Sequence, residues 1–123
     1  MAAARWDGFT GAQVAALARG PGFLLEPGER DCPACGGRSL RAYVTPAPQA
    51  KRPTLVSYVW CSPCRKFAGS RAKHPEGVVL SDPLAVLSPA ERRALESSLT
   101  GFVAHLDRLW DDGRLPQTFA AAG

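Results

Sequence analysis

The stretch that decides the fold reads Arg30-Asp31-Cys32-Pro33-Ala34-Cys35-Gly36-Gly37 and, after 25 residues between cysteines, Cys61-Ser62-Pro63-Cys64. These are the only four cysteines among 123 residues. Two Cys-x-x-Cys turns supply four thiolates in the arrangement that a tetrahedral metal ion takes. Pro33 and Pro63 fix the backbone inside each turn. Gly36 and Gly37 follow the first turn, where the chain must curl so that amides face sulfur, a curl that calls for positive φ. Arg65 stands at the matching place after Cys64, so the second turn is expected to be tighter or to lead into a different element.

Other chemistries compete for the same residues. Disulfides belong to oxidising compartments, and Met1-Ala-Ala-Ala-Arg5-Trp6-Asp7 has no apolar secretory core. A thioredoxin-like dithiol needs a strand before the motif and a helix after it, whereas Gly36–Val44 reads as a strand. Iron on four thiolates, as in rubredoxin-like sites, is the remaining alternative. The expectation is structural Zn2+ on Cys32, Cys35, Cys61 and Cys64.

Two strands are expected between the turns. In Ser39–Thr45, Leu40, Ala42 and Val44 alternate with Arg41, Tyr43 and Thr45, the period of a half-buried strand. Thr54–Trp60 is rich in β-branched and aromatic residues. The loop Pro46–Pro53 carries three prolines and the bases Lys51 and Arg52. Turn, hairpin, turn with Cys-Pro-x-Cys-Gly resembles a zinc ribbon of bacterial type, over about residues 30–70. The resemblance implies a small β module and four metal ligands, and nothing about function. Ribbons of the transcript-cleavage type carry acidic residues at the hairpin tip, where this chain has Lys51 and Arg52.

The flanks read as helices. Thr10 and Gln13 fit a capping box, with Phe9 and Val14 placed as a hydrophobic staple, opening a helix over 11–19 that stops at Gly20-Pro21. Phe23-Leu24-Leu25 reads as extended. Ser88-Pro89-Ala90-Glu91 opens one long helix running to Asp112, stopped by Gly113. Its stripe of Leu95, Leu99, Phe102, Leu106 and Leu109 is expected to pack on the first helix and the strand face, since two heptads are too few for a coiled coil. Ser81–Leu87 offers a helical turn, and Val78-Val79-Leu80 a strand completing the ribbon's sheet. The fold class is thus α+β in one domain, 1–123, with the zinc ribbon over 30–80, an N-terminal part over 1–29, a helical part over 81–116 and a flexible tail over 117–123. A monomer in the cytoplasm is expected.

Charge is uneven along the chain. Residues 30–74 carry nine bases against Asp31 alone, while residues 75–123 carry four arginines against seven acids. Asp107, Asp111 and Asp112 oppose the macrodipole at a helix C-terminus, which predicts a salt link to the basic ribbon. His74 and His105 read as a surface or turn-capping residue and a helix-edge residue. No nucleophile–base motif or phosphate loop is present, and a four-cysteine site leaves no open metal position, so no enzyme is expected. Two classes remain. In the favoured one, the basic ribbon binds nucleic acid: Arg41, Lys51, Arg52, Arg65, Lys66, Arg71 and Lys73 at phosphates, Tyr43 and Tyr58 stacking on bases. Trp60 reads as packing beside Cys61. In the other, the ribbon is a scaffold for a protein-binding adaptor, accessory subunit or immunity-type regulator. No membrane partner is expected.

Overall fold

A computed structural model describes residues 6–19, 28–47 and 51–121. The expected extended segment at Phe23-Leu24-Leu25 lies outside the described residues, as does part of the hairpin tip. The chain is a mixed α+β structure. Strands β1 (Asp7–Gly8), β2 (Arg30–Asp31), β3 (Arg38–Pro46), β4 (Thr54–Cys61) and β5 (Lys66–Lys73) form one sheet in the order β1-β5-β4-β3-β2. Its centre is antiparallel, with Arg41 opposite Trp60 and Trp60 opposite Phe67. β1 joins β5 in parallel at Lys66 and Phe67 only.

β3 and β4 arise where the sequence places them. β5 has no strand signature in the sequence, where Lys66, Arg71 and Lys73 read as a basic cluster for phosphate. It forms because Arg65 takes φ 57°, turning the chain straight back after Cys64.

Helix α1 (Gly11–Arg19) begins with the expected capping box: Thr10 N–H donates to Gln13 Oε1 at 2.9 Å, and Gln13 N–H to Thr10 Oγ1 at 3.2 Å. Phe9 is buried, but Val14 stays exposed. The long C-terminal helix is two helices, α2 (Pro89–Glu96) and α3 (Leu99–Asp111). Ser88 caps α2 in a full capping box with Glu91. The break has a local cause, because the Ser98 side chain accepts from Gly101 N–H and starts a second helix. Leu99, counted in the stripe, is therefore exposed. Gly113, at φ 78°, ends α3: Arg114 N–H donates to the Leu109 carbonyl and Gly113 N–H to that of Trp110.

α1 and α3 lie on opposite sides of the sheet. α3 covers one side of the sheet, where Tyr43, Trp60, Phe102, Val103, Leu106 and Leu109 cluster with Leu84 and Leu115. The other side gathers Phe9, Leu40, Ala42, Val59 and two cysteines, with Leu17 of α1 against them. β3 is consequently buried on both faces rather than half-buried: Ala42 and Tyr43 are both internal. Burying each large side chain of the α3 layer contributes about 2–3 kcal/mol, so this layer is the main core.

Strand β6 (Val78–Leu80) forms, but in a separate two-stranded sheet with β7 (Phe119–Ala121) instead of completing the main one. Ser81–Leu87 does contain a helical turn, a 3-10 turn over Pro83–Val86 capped by Asp82. The segment expected as a flexible tail is docked through residue 121. Gln117 is 4% exposed, and its side-chain amide pairs with the β3 backbone: Val44 N–H donates to Oε1 at 2.8 Å, and Nε2 donates to the Val44 carbonyl at 2.7 Å. Gln117 thus serves β3 as a substitute strand neighbour and closes that sheet edge.

Candidate metal centre

The two Cys-x-x-Cys turns lie at one end of the sheet. Cys32 and Cys35 sit between β2 and β3, while Cys61 ends β4 and Cys64 lies between β4 and β5. Pairing of Leu40 with Cys61 brings the turns together. They share one backbone form. Gly36 N–H donates to the Cys32 carbonyl at 2.9 Å, and Arg65 N–H to the Cys61 carbonyl at 3.0 Å. Gly36 (φ 74°) and Arg65 (φ 57°) occupy the same left-handed position. The second turn is therefore a copy of the first, with an arginine carrying the strain that glycine avoids. The Arg65 guanidinium lies 5.0 Å from the Trp6 ring centroid, a cation–π contact that helps hold it there.

All four Sγ atoms lie within 4.8 Å of one another. Cys32 and Cys64 are 3.7 Å apart, as are Cys35 and Cys61. Sulfurs at about 2.3 Å from a tetrahedral ion stand roughly 3.8 Å from each other, so the set fits one metal ion. An amide and a hydroxyl supply part of the second layer: Ala34 N–H donates to Cys32 Sγ at 3.3 Å, and Ser39 Oγ lies 3.1 Å from Cys61 Sγ. The Gly37 amide lowers the Cys35 thiol to about 7. Burial pushes the Cys64 thiol up to about 12, with Cys61 and Cys32 adding to the rise, and burial also raises Cys32. Crowded thiols resist ionising together, and a divalent cation removes that obstacle.

Behind the second turn stands a buried carboxylate. Asp107, on α3, is 7% exposed. Its Oδ1 accepts from Arg41 Nη1 at 2.9 Å and Trp60 Nε1 at 2.8 Å, and its Oδ2 from Ser62 Oγ at 2.8 Å. Arg41 also reaches Asp111 at 3.0 Å and Glu29 at 3.2 Å. Burial opposes its charge, but Glu29, Asp111 and Asp107 outweigh that and raise its pKa. The expected salt link between the acidic helix end and the ribbon is thus formed. It runs inside the molecule and ties α3 to the turn holding Cys61 and Cys64.

The residues of the expected nucleic-acid surface fall in different environments. Arg41 is internal and neutralised, and Tyr43 is fully buried, donating to Asp82 Oδ1 at 2.8 Å. Tyr58 is half-buried with its ring 4.9 Å from that of Phe102, edge-on. Arg65 is turned to Trp6. Lys51, Arg52, Arg71 and Lys73 are exposed, and Lys66 is partly so. The hairpin bases meet Lys73 at one end of the sheet, since Thr54 pairs with Lys73. That end is about 23 Å of strand from Cys61, at about 3.3 Å per residue. Trp60 is buried as expected, but on the face opposite Cys61. His74 caps a turn, its Nε2 2.8 Å from the Val78 carbonyl oxygen. Desolvation, with the nearby Arg108, lowers the pKa of His105.

Sequence reasoning missed Arg92. It reaches Asp82 at 3.2 Å, Glu96 at 3.0 Å, Tyr43 Oη at 3.1 Å and Thr45 Oγ1 at 3.0 Å, pinning α2 to the sheet. Beside it a cleft of about 900 Å3 is lined by Tyr58, Arg71, Arg93 and Glu96 among others. No helix among the described residues is long and apolar enough to cross a membrane. No family model matches the chain, and neither the curated proteins nor the solved structures contain a match to it.

Proposed function

We propose that this chain is a non-catalytic, zinc-stabilised module that docks on a protein partner. Zn2+ is the ion that four thiolates at tetrahedral separations suit best, and a site closed by four cysteines leaves no position for substrate or activated water. Cys32, Cys35, Cys61 and Cys64 would hold it. The ion would supply folding energy, because it fastens the two turns to each other. The zinc-ribbon likeness supports this reading through the paired turns on adjacent hairpins.

The observation that carries the docking reading is the internal place of Arg41 and Tyr43. The expected nucleic-acid face used Arg41 at phosphate and Tyr43 on a base. Without them the exposed bases retain no fully presented aromatic platform among the described residues, which weakens stacking on unpaired bases. Lys51, Arg52, Arg71 and Lys73 still form a basic end, and that suits an acidic protein surface.

The test has two parts. Metal analysis of purified protein should give one zinc per chain, and Co2+ substitution should give the spectrum of a tetrahedral thiolate site. Visible absorbance from bound iron in the isolated protein would replace zinc. Anisotropy titrations with short DNA and RNA at about 50 and 200 mM salt should show no binding beyond weak, unspecific attraction. Tight binding with a steep salt slope would reinstate the nucleic-acid reading.

A further inference from the structure

The main sheet treats its two edges differently. On one side β2 pairs with Leu40 and Arg38, and Gln117 satisfies Val44. On the other, β1 covers β5 only at Lys66 and Phe67. Phe9 N–H donates to the Phe67 carbonyl at 2.9 Å, so the polar backbone groups of residue 67 point outward. The β4–β5 register runs without a bulge from Cys61–Lys66 to Thr54–Lys73. By alternation, the N–H and C=O groups of Arg71 and Lys73 also point outward, and they have no backbone partner among the described residues. All five residues from Gly69 to Lys73 are exposed.

We propose that this outer edge of β5, Gly69–Lys73, receives an extended acidic segment of a partner protein as an added strand. The proposal rests on the protein-docking reading and names its surface. A free edge gives affinity through ladder hydrogen bonds, and side-chain pockets beside it give selectivity. Such a pocket is present: one cleft is lined by Arg71, Arg93 and Tyr58, with Asp82 and Glu96 already paired to Arg92. β5 contains Lys66, Arg71 and Lys73 and no acidic residue, so glutamate or aspartate at alternate positions of an incoming strand would meet positive charge. A second copy of this chain fits worse. Antiparallel pairing of β5 with a second β5 about Ala72 would set Arg71 of each copy against Lys73 of the other, and like charges across a strand pair repel. A polynucleotide would use the basic side chains but leave the carbonyl row unpaired.

The experiment uses the full zinc-loaded chain, isotopically labelled, titrated with a capped Glu-Val-Glu-Val-Glu-Val peptide, its Lys-Val counterpart and an oligothymidine. The expected result is binding of the acidic peptide alone, with the Arg71 and Lys73 amides shifted and protected from exchange. Arg71→Pro removes one outward donor without touching the β4 ladder, and should weaken binding about fivefold, the worth of one hydrogen bond. The double variant Arg71→Gln, Lys73→Gln keeps the backbone, and should weaken binding more at low salt than at high salt. It decides the charge claim even if the proline variant does not fold. Failure of the acidic peptide to bind, or shifts confined to Lys51 and Arg52, would overturn the edge assignment and leave the docking reading standing. Oligothymidine binding with steep salt dependence would overturn both.

Discussion

Replacing Asp107 by alanine should be among the most damaging single changes outside the cysteines. Trp60 is fully buried, so its indole N–H would lose its 2.8 Å acceptor with no water to replace it, a cost of about 1–3 kcal/mol. Arg41 would keep Glu29 and Asp111. Asp111 is 62% exposed, however, and solvent screens much of its attraction. The Arg41 loss is therefore set at about 1 kcal/mol, well under the roughly 3–5 kcal/mol for stranding a buried charge. Ser62 is half-exposed and can turn to water. The sum is about 3 kcal/mol. At about 2.1 cal/mol/K per residue, unfolding a 123-residue chain carries about 0.26 kcal/mol/K of entropy. The melting temperature should fall by about 12 °C, read by calorimetry on zinc-loaded protein. Asp107→Asn, which keeps an acceptor oxygen but not the charge, should fall about half as far. A drop of less than about 4 °C for Asp107→Ala, with an unchanged urea m-value, would refute the view that this carboxylate joins α3 to the sheet.

Other perturbations probe other joints. Gln117→Ala strips Val44 of partners for both its amide and its carbonyl, and should cost about 2–4 kcal/mol in denaturant melts while exposing the Val44 amide to exchange. Cys61→Ser should leave the chain without bound metal and without a cooperative melt, since ligand loss removes metal-linked folding energy; a cooperative, metal-free fold would count against the structural site. Burial, then Asp82, raises the pKa of Tyr43 well above its ordinary 10, and burial raises that of Tyr58. A folded pKa above the unfolded one means this stabilisation is complete below pH 10 and drains away as pH climbs past it. Melting temperature should thus fall on the alkaline side, with late tyrosinate absorbance; loss confined to acid pH would contradict the burial of Tyr43. Neutralising Lys51 and Arg52 together should shift stability by no more than about 0.5 kcal/mol, because both are exposed; a large drop in melting temperature would mark them as structural.

The four-cysteine cluster was readable from spacing alone, because a Cys-x-x-Cys turn writes its geometry into adjacent residues. Capping residues announced α1 and α2 for the same local reason. Tertiary pairing was not readable. β3 looks half-polar because Arg41 and Tyr43 alternate with aliphatic residues, yet those two are satisfied internally by Asp107 and Asp82, more than thirty positions away. A polar residue with a distant partner has the same sequence signature as a solvated one. β5 escaped notice likewise, since its bases mark an edge strand and carry no apolar period. Ser98 was the one overlooked local signal: it caps α3 in the middle of an unbroken apolar stripe.

Gln117 also orders events during synthesis. It lies 73 positions after Val44, whose backbone it closes. β4 ends at Cys61, and at about 5–20 residues per second a ribosome needs roughly 3–11 s to go from there to Gln117. A nascent β3–β4 hairpin would present a bare, apolar-flanked border for that time. Translation speed over the second half of the message thus becomes a determinant of how much chain is lost to intermolecular strand pairing, even though the finished molecule caps Val44.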